Sequence, residues 1–238
     1  MKITKFIFLF VFCFNFTVTE IFAQYSIMDS FSDYSTYLFK AVGISCKKPK
    51  DFIWEKIETV AETQGTWEKR SLVSSYDGKM QSKDGNFLIL YPNFAAATLN
   101  IGEGSSLDCG CSFIRRQMIY DMGKVSEQML LSDYPDVGEG VIRIVGKDTP
   151  FNADTVFIVQ IPLKEPYLEK YIYCLGIYAC KSGRIPISFK CYFTDNGKAE
   201  ETKYLLKFYK TIKYRKNSSY DHEKDLIILH ELYLKFKK

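Results

Sequence analysis

The chain has 238 residues, with 32 basic and 28 acidic side chains and a formal net charge of +4. So small an excess of positive charge argues against a nucleic-acid partner, which usually requires a concentrated basic surface. The chain is long enough to bury a sizeable core. No stretch after residue 23 reaches ~18 unbroken apolar residues, so no transmembrane span is predicted in the mature chain.

The first 23 residues have the order of a secretory signal peptide. Two lysines give a basic start, an apolar core continues to Phe16, and the small residue Ala23 precedes Gln24. The apolar core is shorter than the ~20 residues that a spanning helix needs. The sequence therefore predicts cleavage near Ala23–Gln24 and a mature protein that is secreted or periplasmic.

The first part of the mature chain is predicted to contain a loose segment, a strand and a helix. Residues 24–35 are polar and predicted to be loose, and Tyr37–Cys46 has the composition of a strand. Pro49 suits the first turn of a helix, where its missing N–H costs nothing, and Gly65 suits the end of that helix. Apolar residues recur on one helical face between them, so a helix is predicted from Pro49 to Gly65.

Two strands joined by turns are predicted next. The strands cover residues 66–76 and 86–91, and they flank Asp77-Gly78 and a second Asp-Gly pair, dipeptides typical of tight turns. Residues 92–108 are rich in glycine and serine, so they are predicted to form an irregular connection.

A second helix is predicted after residue 108. Apolar residues recur there at intervals of three and four: Ile114, Met118, Met122, Val125 and Met129. This spacing places them on one helical face.

Strands dominate the following stretch. Residues 141–145 and 155–162 are predicted strands, and residues 171–193 are predicted to form a long hairpin around a loop at residues 181–184. Asp195 is predicted to cap the next helix, because a carboxylate can accept hydrogen bonds from the free N–H groups of a first turn.

The last firmly predicted helix has two distinct sides. Leu205, Phe208 and Ile212 are predicted to line its buried side. The opposite side is predicted to carry four lysines: Lys203, Lys207, Lys210 and Lys213. A solvated surface is the ordinary role for such a lysine face, and binding of an anionic partner is the functional alternative. The apolar tail over residues 225–236 is predicted to be a docked helix.

This mixed order of elements predicts an α+β fold, with an antiparallel-rich sheet and helices packed on it, in a single domain over residues 36–238. A long hairpin leads into Phe193-Thr194-Asp195, a helix follows, and Ile212-Lys213-Tyr214 closes the layout. This layout resembles the Mog1/PsbP-like α/β/α sandwich family, over residues 36–214 at most. The resemblance implies a small extracytoplasmic or adaptor module, of a kind that often lacks catalysis.

Six cysteines remain after the predicted signal peptide: Cys46, Cys109, Cys111, Cys174, Cys180 and Cys191. An even number of cysteines in an oxidising compartment favours disulfide bonds. The sequence alone does not choose among the pairings.

Cys109-Gly110-Cys111 is the local feature best suited to redox or metal chemistry. Asp108 is placed to cap a helix that starts there, which would put both sulfurs in its first turn, where the helix dipole favours the thiolate. The single-residue spacer differs from the common redox motif, and no two further zinc ligands are identified. The compartment therefore favours structural disulfides from Cys109 and Cys111, with thiol–disulfide chemistry as the alternative.

The predicted hairpin has two plausible registers. In the first, Cys174 faces Cys191 and Phe189 covers Gly176, an arrangement that would allow a disulfide. In the second, a slip by one residue pairs Leu175 with Phe189 and separates the two cysteines. The first register is slightly favoured.

Known motifs assign neither a catalytic nor a metal site. His230-Glu231 begins like a zinc-protease helix, but Leu234 stands where the second histidine would be needed. Two Gly-Glu-Gly segments each lack the third glycine of a dinucleotide-binding loop. No serine or cysteine triad is visible, and no cofactor is predicted.

The leading functional interpretation is an exported, non-enzymatic module of the cell envelope or extracellular space. It would bind a protein, a glycan or an anionic surface through its tyrosine-bearing sheet or its lysine face. The alternatives are an enzyme, either a thiol–disulfide protein that uses Cys109 and Cys111 or a hydrolase with a dispersed active site, and a structural partner in an envelope complex.

Overall fold

The computed structural model describes residues 30–57, 62–67, 70–74, 76–92, 108–122, 139–146 and 148–215. The predicted signal peptide, both histidines and the apolar tail lie outside the described residues. Among the described residues, no helix has the length and apolar composition needed to cross a membrane.

The described chain contains four α-helices, with a π-helical segment at Leu38–Val42 and a 3₁₀ turn at Pro150–Asn152. The helices are α1 (Phe31–Tyr37), α2 (Asp108–Asp121), α3 (Asp195–Ala199) and α4 (Glu201–Tyr209). The strands are β1 (Ile44–Cys46), β2 (Phe52–Lys56), β3 (Glu62–Trp67), β4 (Arg70–Ser74), β5 (Tyr76–Ser82), β6 (Phe87–Pro92), β7 (Val141–Val145), β8 (Thr155–Ile161), β9 (Tyr173–Cys180), β10 (Ile187–Phe193) and β11 (Ile212–Tyr214).

Seven of these strands form one antiparallel sheet, in the order β2-β5-β6-β10-β9-β8-β7. Two small antiparallel ribbons, β1-β11 and β3-β4, complete the sheet structure. The predicted α+β class, with an antiparallel-rich sheet and helices packed on it, is therefore confirmed.

The large sheet is covered on both faces, so two cores form. The first core contains side chains of α1, α4 and the β1-β11 ribbon, and the second contains side chains of α2. Alternation along each strand divides the side chains between the two cores. In β10, for example, Phe189 and Cys191 enter the first core, while Tyr192 enters the second. The central strands are accordingly buried on both faces.

The start of the described chain is helical, so the prediction of a loose segment was wrong over residues 31–35, and residues 24–29 lie outside the described residues. The prediction of a strand from Tyr37 was also wrong. The Ser30 side chain caps α1 by accepting a hydrogen bond from the backbone N–H of Asp33 at 3.2 Å. Tyr34 is completely buried, and its hydroxyl donates to the backbone oxygen of Pro92 at 2.9 Å. This tertiary packing decides the helix, and only the last three residues of the predicted strand, β1, are extended.

The helix predicted from Pro49 to Gly65 was also wrong, because the chain forms β2 and then β3 over these residues. Phe52 is buried while Ile53 is exposed, which is the alternation of a half-buried strand. The apolar residues here fit both a helical and a strand period. Pairing of β2 with β5 decides between them.

The prediction of a turn at Asp77-Gly78 was wrong, whereas the turn at Asp84-Gly85 is confirmed. Asp77 lies inside β5, where the register shifts between Tyr76 and Gly78. Such a β-bulge accommodates an extra residue without ending the strand.

The remaining elements follow the sequence more closely. Ile114 and Met118 of α2 are buried as the periodicity predicts, and so is Met122, which directly follows the helix. The rest of the predicted apolar face lies outside the described residues. The predicted strands at 141–145 and 155–162 correspond to β7 and β8, and the long hairpin corresponds to β9 and β10. Thr194, rather than the predicted Asp195, caps α3, because its hydroxyl accepts from the Gly197 N–H at 3.1 Å.

Candidate functional site

The hairpin register differs from both predicted registers and places Cys174 and Cys191 apart. Cys191 pairs with Leu175 and Cys174 pairs with Tyr192. The two cysteines therefore point to opposite faces of the sheet, Cys191 into the first core and Cys174 into the second. The prediction that Cys174 faces Cys191 was therefore wrong.

Four of the cysteines lie in the described chain: Cys46, Cys174, Cys180 and Cys191. Cys46 and Cys191 are free thiols. Burial raises the pKa of the Cys46 thiol to about 12, and burial also raises the pKa of Cys191 well above its usual value. Since the thiolate is the nucleophile, these two thiols are poorly suited to redox chemistry.

Cys109 and Cys111 lie in the first turn of α2, which begins at Asp108. The predicted helix start is confirmed at this point. The side chains of both cysteines lie outside the described part of the structure, so their disulfide or redox role stays a prediction.

The lysine face is exposed as predicted, but carboxylates neutralise half of it. Lys203 and Lys210 on the helix side and Lys213 on β11 are exposed, whereas Lys207 is half-buried. Leu205, Phe208 and Ile212 are all buried, although Ile212 belongs to β11 rather than to the helix.

Two of the four lysines form ion pairs. Lys203 Nζ lies 2.6 Å from a carboxylate oxygen of Glu200, and Lys207 Nζ lies 2.9 Å from one of Asp51. The hydrogen bond from Lys207 lowers the pKa of Asp51, and the hydrogen bond to Glu200 raises the pKa of Lys203. Pairing reduces the electrostatic field that these lysines offer to an external anion, and the role of this face in anion binding stays a prediction.

Most of the described tyrosines are buried in the layers that pack around the sheet. Nine tyrosines among the described residues are buried: Tyr34, Tyr37, Tyr76, Tyr91, Tyr171, Tyr178, Tyr192, Tyr204 and Tyr214. Their rings contribute mainly to the two cores. The predicted use of a tyrosine-bearing sheet face for binding stays a prediction.

The outer edge of the sheet at β7 is the most exposed apolar feature of the described chain. No described strand pairs with this edge of β7. Ile142 is 61% exposed and Val145 is 59% exposed, the two largest exposures among the large hydrophobic residues described. Arg143 lies between them, exposed and without an ion pair to any described residue. An edge of this kind offers unpaired backbone N–H and C=O groups to another extended chain.

A buried carboxylate lies at the bulge of β5. Asp77 is 2% exposed, and its Oδ1 atom accepts no hydrogen bond. Burial raises the pKa of the Asp77 carboxyl well above its usual range, while the nearby charge of Lys56 opposes this effect. The indole Nε1 of Trp54 is also buried without a hydrogen-bond partner. An unsatisfied acceptor and an unsatisfied donor in one region call for a structural explanation.

A second buried polar cluster connects α2 to the sheet. Asp121 accepts hydrogen bonds from the Tyr178 hydroxyl at 2.5 Å and from Gln117 Nε2 at 3.1 Å. Lys190 Nζ lies 3.6 Å from the same carboxylate, and all four residues are buried. Burial and the Asp121 charge raise the pKa of Tyr178, which keeps the hydroxyl protonated as a donor. This cluster fixes the position of the C-terminal end of α2 on the sheet.

A shallow groove lies between α1 and β1. It has a volume of about 250 Å³ and is lined by Ser35, Thr36, Phe39, Ser45, Cys46 and Lys47. The thiol in this lining is that of Cys46, and its raised pKa disfavours nucleophilic catalysis. Among the described residues, no three histidine, cysteine or acidic side chains come close enough together to hold a metal ion.

Comparisons with protein-family models, with curated proteins and with solved structures found no match to this chain. The resemblance to the Mog1/PsbP-like family therefore stays a prediction.

The sequence predicted the strand at β7 but not its position at the edge of the sheet. The run Val-Ile-Arg-Ile-Val has apolar residues on both faces and one charge, which would also fit a central strand. Asp77 was missed because its Asp-Gly dipeptide is typical of a turn. Asp121 and Lys190 lie far apart in the chain, so no local pattern connects them.

Proposed function

We propose that this protein is an exported interaction module that binds an extended segment of a partner protein by strand addition at β7. The observation that carries the proposal is the exposed outer edge of β7, with Ile142 61% and Val145 59% exposed. The signal-peptide pattern of residues 1–23 supports export.

Strand addition uses the backbone for affinity and alternate side chains for specificity. Ile142 and Ile144 share one face of β7, and Ile144 packs partly against the first core. Val141, Arg143 and Val145 share the other face. A suitable partner segment would place an apolar side chain beside Ile142 and a carboxylate beside Arg143, whose guanidinium is well shaped to bind one.

The opposite edge of the sheet, β2, is a poorer docking strand. Ile53 is 49% exposed there, but the strand ends in Glu55 and Lys56. Glu55 already forms an ion pair with Lys79 of the neighbouring strand at 2.8 Å. Charged residues on an edge strand discourage strand addition, whereas β7 carries one charge in five residues.

The test is a selection of displayed peptides of about twelve residues on the purified protein, followed by affinity measurements on a selected peptide. We expect amide hydrogen exchange to slow at residues 141–146 when the peptide binds. Ile142→Lys and Arg143→Glu should each weaken binding at least tenfold, with little effect on stability because both positions are exposed. Ile53→Lys on β2 is the matched control and should leave the affinity unchanged.

Two results would contradict this proposal. One is protection confined to residues outside β7, and the other is equal loss of binding in Ile53→Lys and Ile142→Lys. Sedimentation velocity checks for self-association at the same edge. If Ile142→Lys converts a dimer into a monomer, the occupant is a second copy of this chain, and the proposed partner segment is wrong.

A further inference from the structure

The groove between α1 and β1 is lined by hydrogen-bond donors and by no carboxylate. Its lining residues are Ser35, Thr36, Phe39, Ser45, Cys46 and Lys47, and its volume is about 250 Å³. Pockets for drug-sized ligands usually span about 300–1,000 Å³, so this groove has room for one small chemical group. The hydroxyl of Ser35 donates to the backbone oxygen of Ser32 at 3.0 Å, which leaves, among the described residues of the lining, the hydroxyls of Thr36 and Ser45 available to a ligand.

The β1-β11 ribbon brings a second lysine to this groove. Ser45 pairs with Lys213 in the antiparallel register. Directly opposed residues share one face of a ribbon, with Cβ atoms about 4.5–5.5 Å apart, so the Lys213 side chain leaves the ribbon beside Ser45. Lys47 follows two residues after Ser45, and its backbone N–H donates to the Thr211 oxygen at 2.8 Å. The backbone pairing therefore holds two exposed lysines next to the hydroxyl of Ser45.

Arg215 adds a third positive charge at the edge of the groove. Its backbone N–H donates to the Gly43 oxygen at 2.9 Å, which extends the ribbon pairing by one residue. The Cζ atom of its guanidinium lies 4.1 Å from the centroid of the Phe39 ring, and Nη1 donates to the Phe39 oxygen at 3.4 Å. Stacking on an aromatic ring holds the planar guanidinium in place, while its remaining N–H groups can donate to a ligand.

These three positive charges have no counterion among the described residues. Lys47, Lys213 and Arg215 form no ion pair within the described chain, in contrast to the two paired lysines of α4. Burial raises the pKa of the Cys46 thiol to about 12, so this thiol is neutral and does not repel an anion. Charges of one sign around a cleft raise the local concentration of a ligand of the opposite sign. The groove is therefore suited to an anionic group.

We propose that this groove binds the phosphate group of an organic phosphomonoester. Such a group carries about 1.5–2 negative charges at pH 7 and three strong acceptor oxygens, which matches three cations, two free hydroxyls and a lining without carboxylates. The guanidinium of Arg215 has the fork geometry that binds phosphate oxygens. Phe39 is 46% exposed and offers apolar surface to the organic part of the ligand. The site uses no residue of β7, so it is independent of the strand-addition proposal.

The test is isothermal titration calorimetry of the purified protein with phenyl phosphate, in a chloride buffer of constant ionic strength at pH 7. We expect saturable binding. Benzoate, which joins the same ring to a carboxylate of one negative charge, is the control ligand and should bind at least tenfold more weakly.

Charge-removing variants place the binding in the groove. Lys47→Gln and Lys213→Gln should each weaken phenyl phosphate binding by about tenfold or more, because each removes a charge-assisted hydrogen bond. The matched control is Lys164→Gln. Lys164 is exposed in the loop after β8, beside Leu163, which packs against the second core, so its removal should leave the affinity unchanged.

Ser45→Leu distinguishes a shaped groove from diffuse positive charge, because it fills the groove and keeps all three cations. Ser45 is partly exposed, and a melting curve shows whether the variant is folded when it is tested. We expect this variant to lose phenyl phosphate binding. Full affinity in Ser45→Leu or in both lysine variants, equal affinity for benzoate, or no saturable binding at all would overturn the proposal.

Co-sedimentation with vesicles identifies the source of the phosphate group. Phosphatidic acid in phosphatidylcholine vesicles presents a phosphomonoester at a membrane surface, and phosphatidylglycerol is the anionic control without one. Sedimentation with phosphatidic acid alone, lost in Lys213→Gln, would identify a lipid headgroup as the ligand. Binding of phenyl phosphate without sedimentation would identify a soluble phosphate ester. Equal sedimentation with both lipids that Lys213→Gln leaves unchanged would contradict a lipid ligand in this groove.

Discussion

Removing the charge of Lys190 should destabilise the protein far more than the same change at a surface lysine. The side chains of Lys190 and Asp121 are 7% and 2% exposed, with Nζ 3.6 Å from the carboxylate. In the variant Lys190→Met, Asp121 keeps its hydrogen bonds from Tyr178 and Gln117 but loses its buried counterion. Breaking a buried pair from one side costs about 3–5 kcal/mol.

The matched control is Lys203→Met, which removes a lysine from an ion pair with Glu200. These two side chains are 57% and 49% exposed, so water replaces the lost partner. We expect a cost of about 0–1 kcal/mol for this control. The two variants should therefore differ by about 2–5 kcal/mol. For a domain of this size, each kcal/mol shifts Tm by about 2–4 °C, so their Tm values should differ by roughly 4–20 °C.

Urea unfolding at pH 7, followed by circular dichroism, measures both free energies of unfolding. The double variant Lys190→Met/Asp121→Leu removes both charges and should recover part of the loss, because no unpaired charge then stays buried. If Lys190→Met costs no more than Lys203→Met, the pair is hydrated in solution. The reasoning about a dry polar cluster under α2 would then be refuted.

Three further outcomes are expected. Phe208→Ala should lower the free energy of unfolding by about 3–5 kcal/mol because the Phe208 ring is buried. Leu206→Ala, at an exposed position on the same helix, should change it little, and equal effects would contradict the assignment of the buried side of α4. Burial raises the folded-state pKa of Asp77 above its usual value of 3.8, so its contribution to stability is fully present below pH 3.8 and is lost as pH rises through the folded pKa. The variant Asp77→Asn should therefore become more stable relative to the parent protein as pH rises over that range. Parallel profiles of unfolding free energy against pH would contradict this expectation. Mass spectrometry of exported protein should find a start within a few residues of Gln24, and an intact Met1 would contradict this expectation. Thiol titration of the same denatured, unreduced sample should find at least the two free thiols of Cys46 and Cys191, and fewer than two would contradict the described structure.

Local patterns predicted the elements whose side chains alternate or repeat regularly. The spacing of Ile114 and Met118 predicted α2, and the spacing of Leu205 and Phe208 predicted the buried side of α4. The turn at Asp84-Gly85 and the two strands of the long hairpin were also readable from residue type. These predictions were confirmed because secondary structure and burial both follow from neighbours within a few residues.

Elements that fit two periods were decided by the tertiary structure. Phe52 and Ile53 belong to a segment with apolar residues at helical spacing, yet pairing with β5 makes it a strand. Tyr34 lies in a polar segment that reads as loose, but burial between Trp54 and Tyr91 stabilises a helix there. In both cases long-range packing outweighed a weak local preference.

The candidate sites depended on the tertiary structure to the greatest extent. Residue type alone placed Cys174 opposite Cys191, and a shift of register moved the two thiols to opposite faces of the sheet. The exposure of Ile142 follows from the position of β7 at the end of the strand order, which no local pattern specifies. By itself, the sequence determined the class of fold and most of the regular elements, because these depend on local periodicity. Which carboxylate is buried, which strand lies at the edge and which charges meet were decided by contacts between residues far apart in the chain.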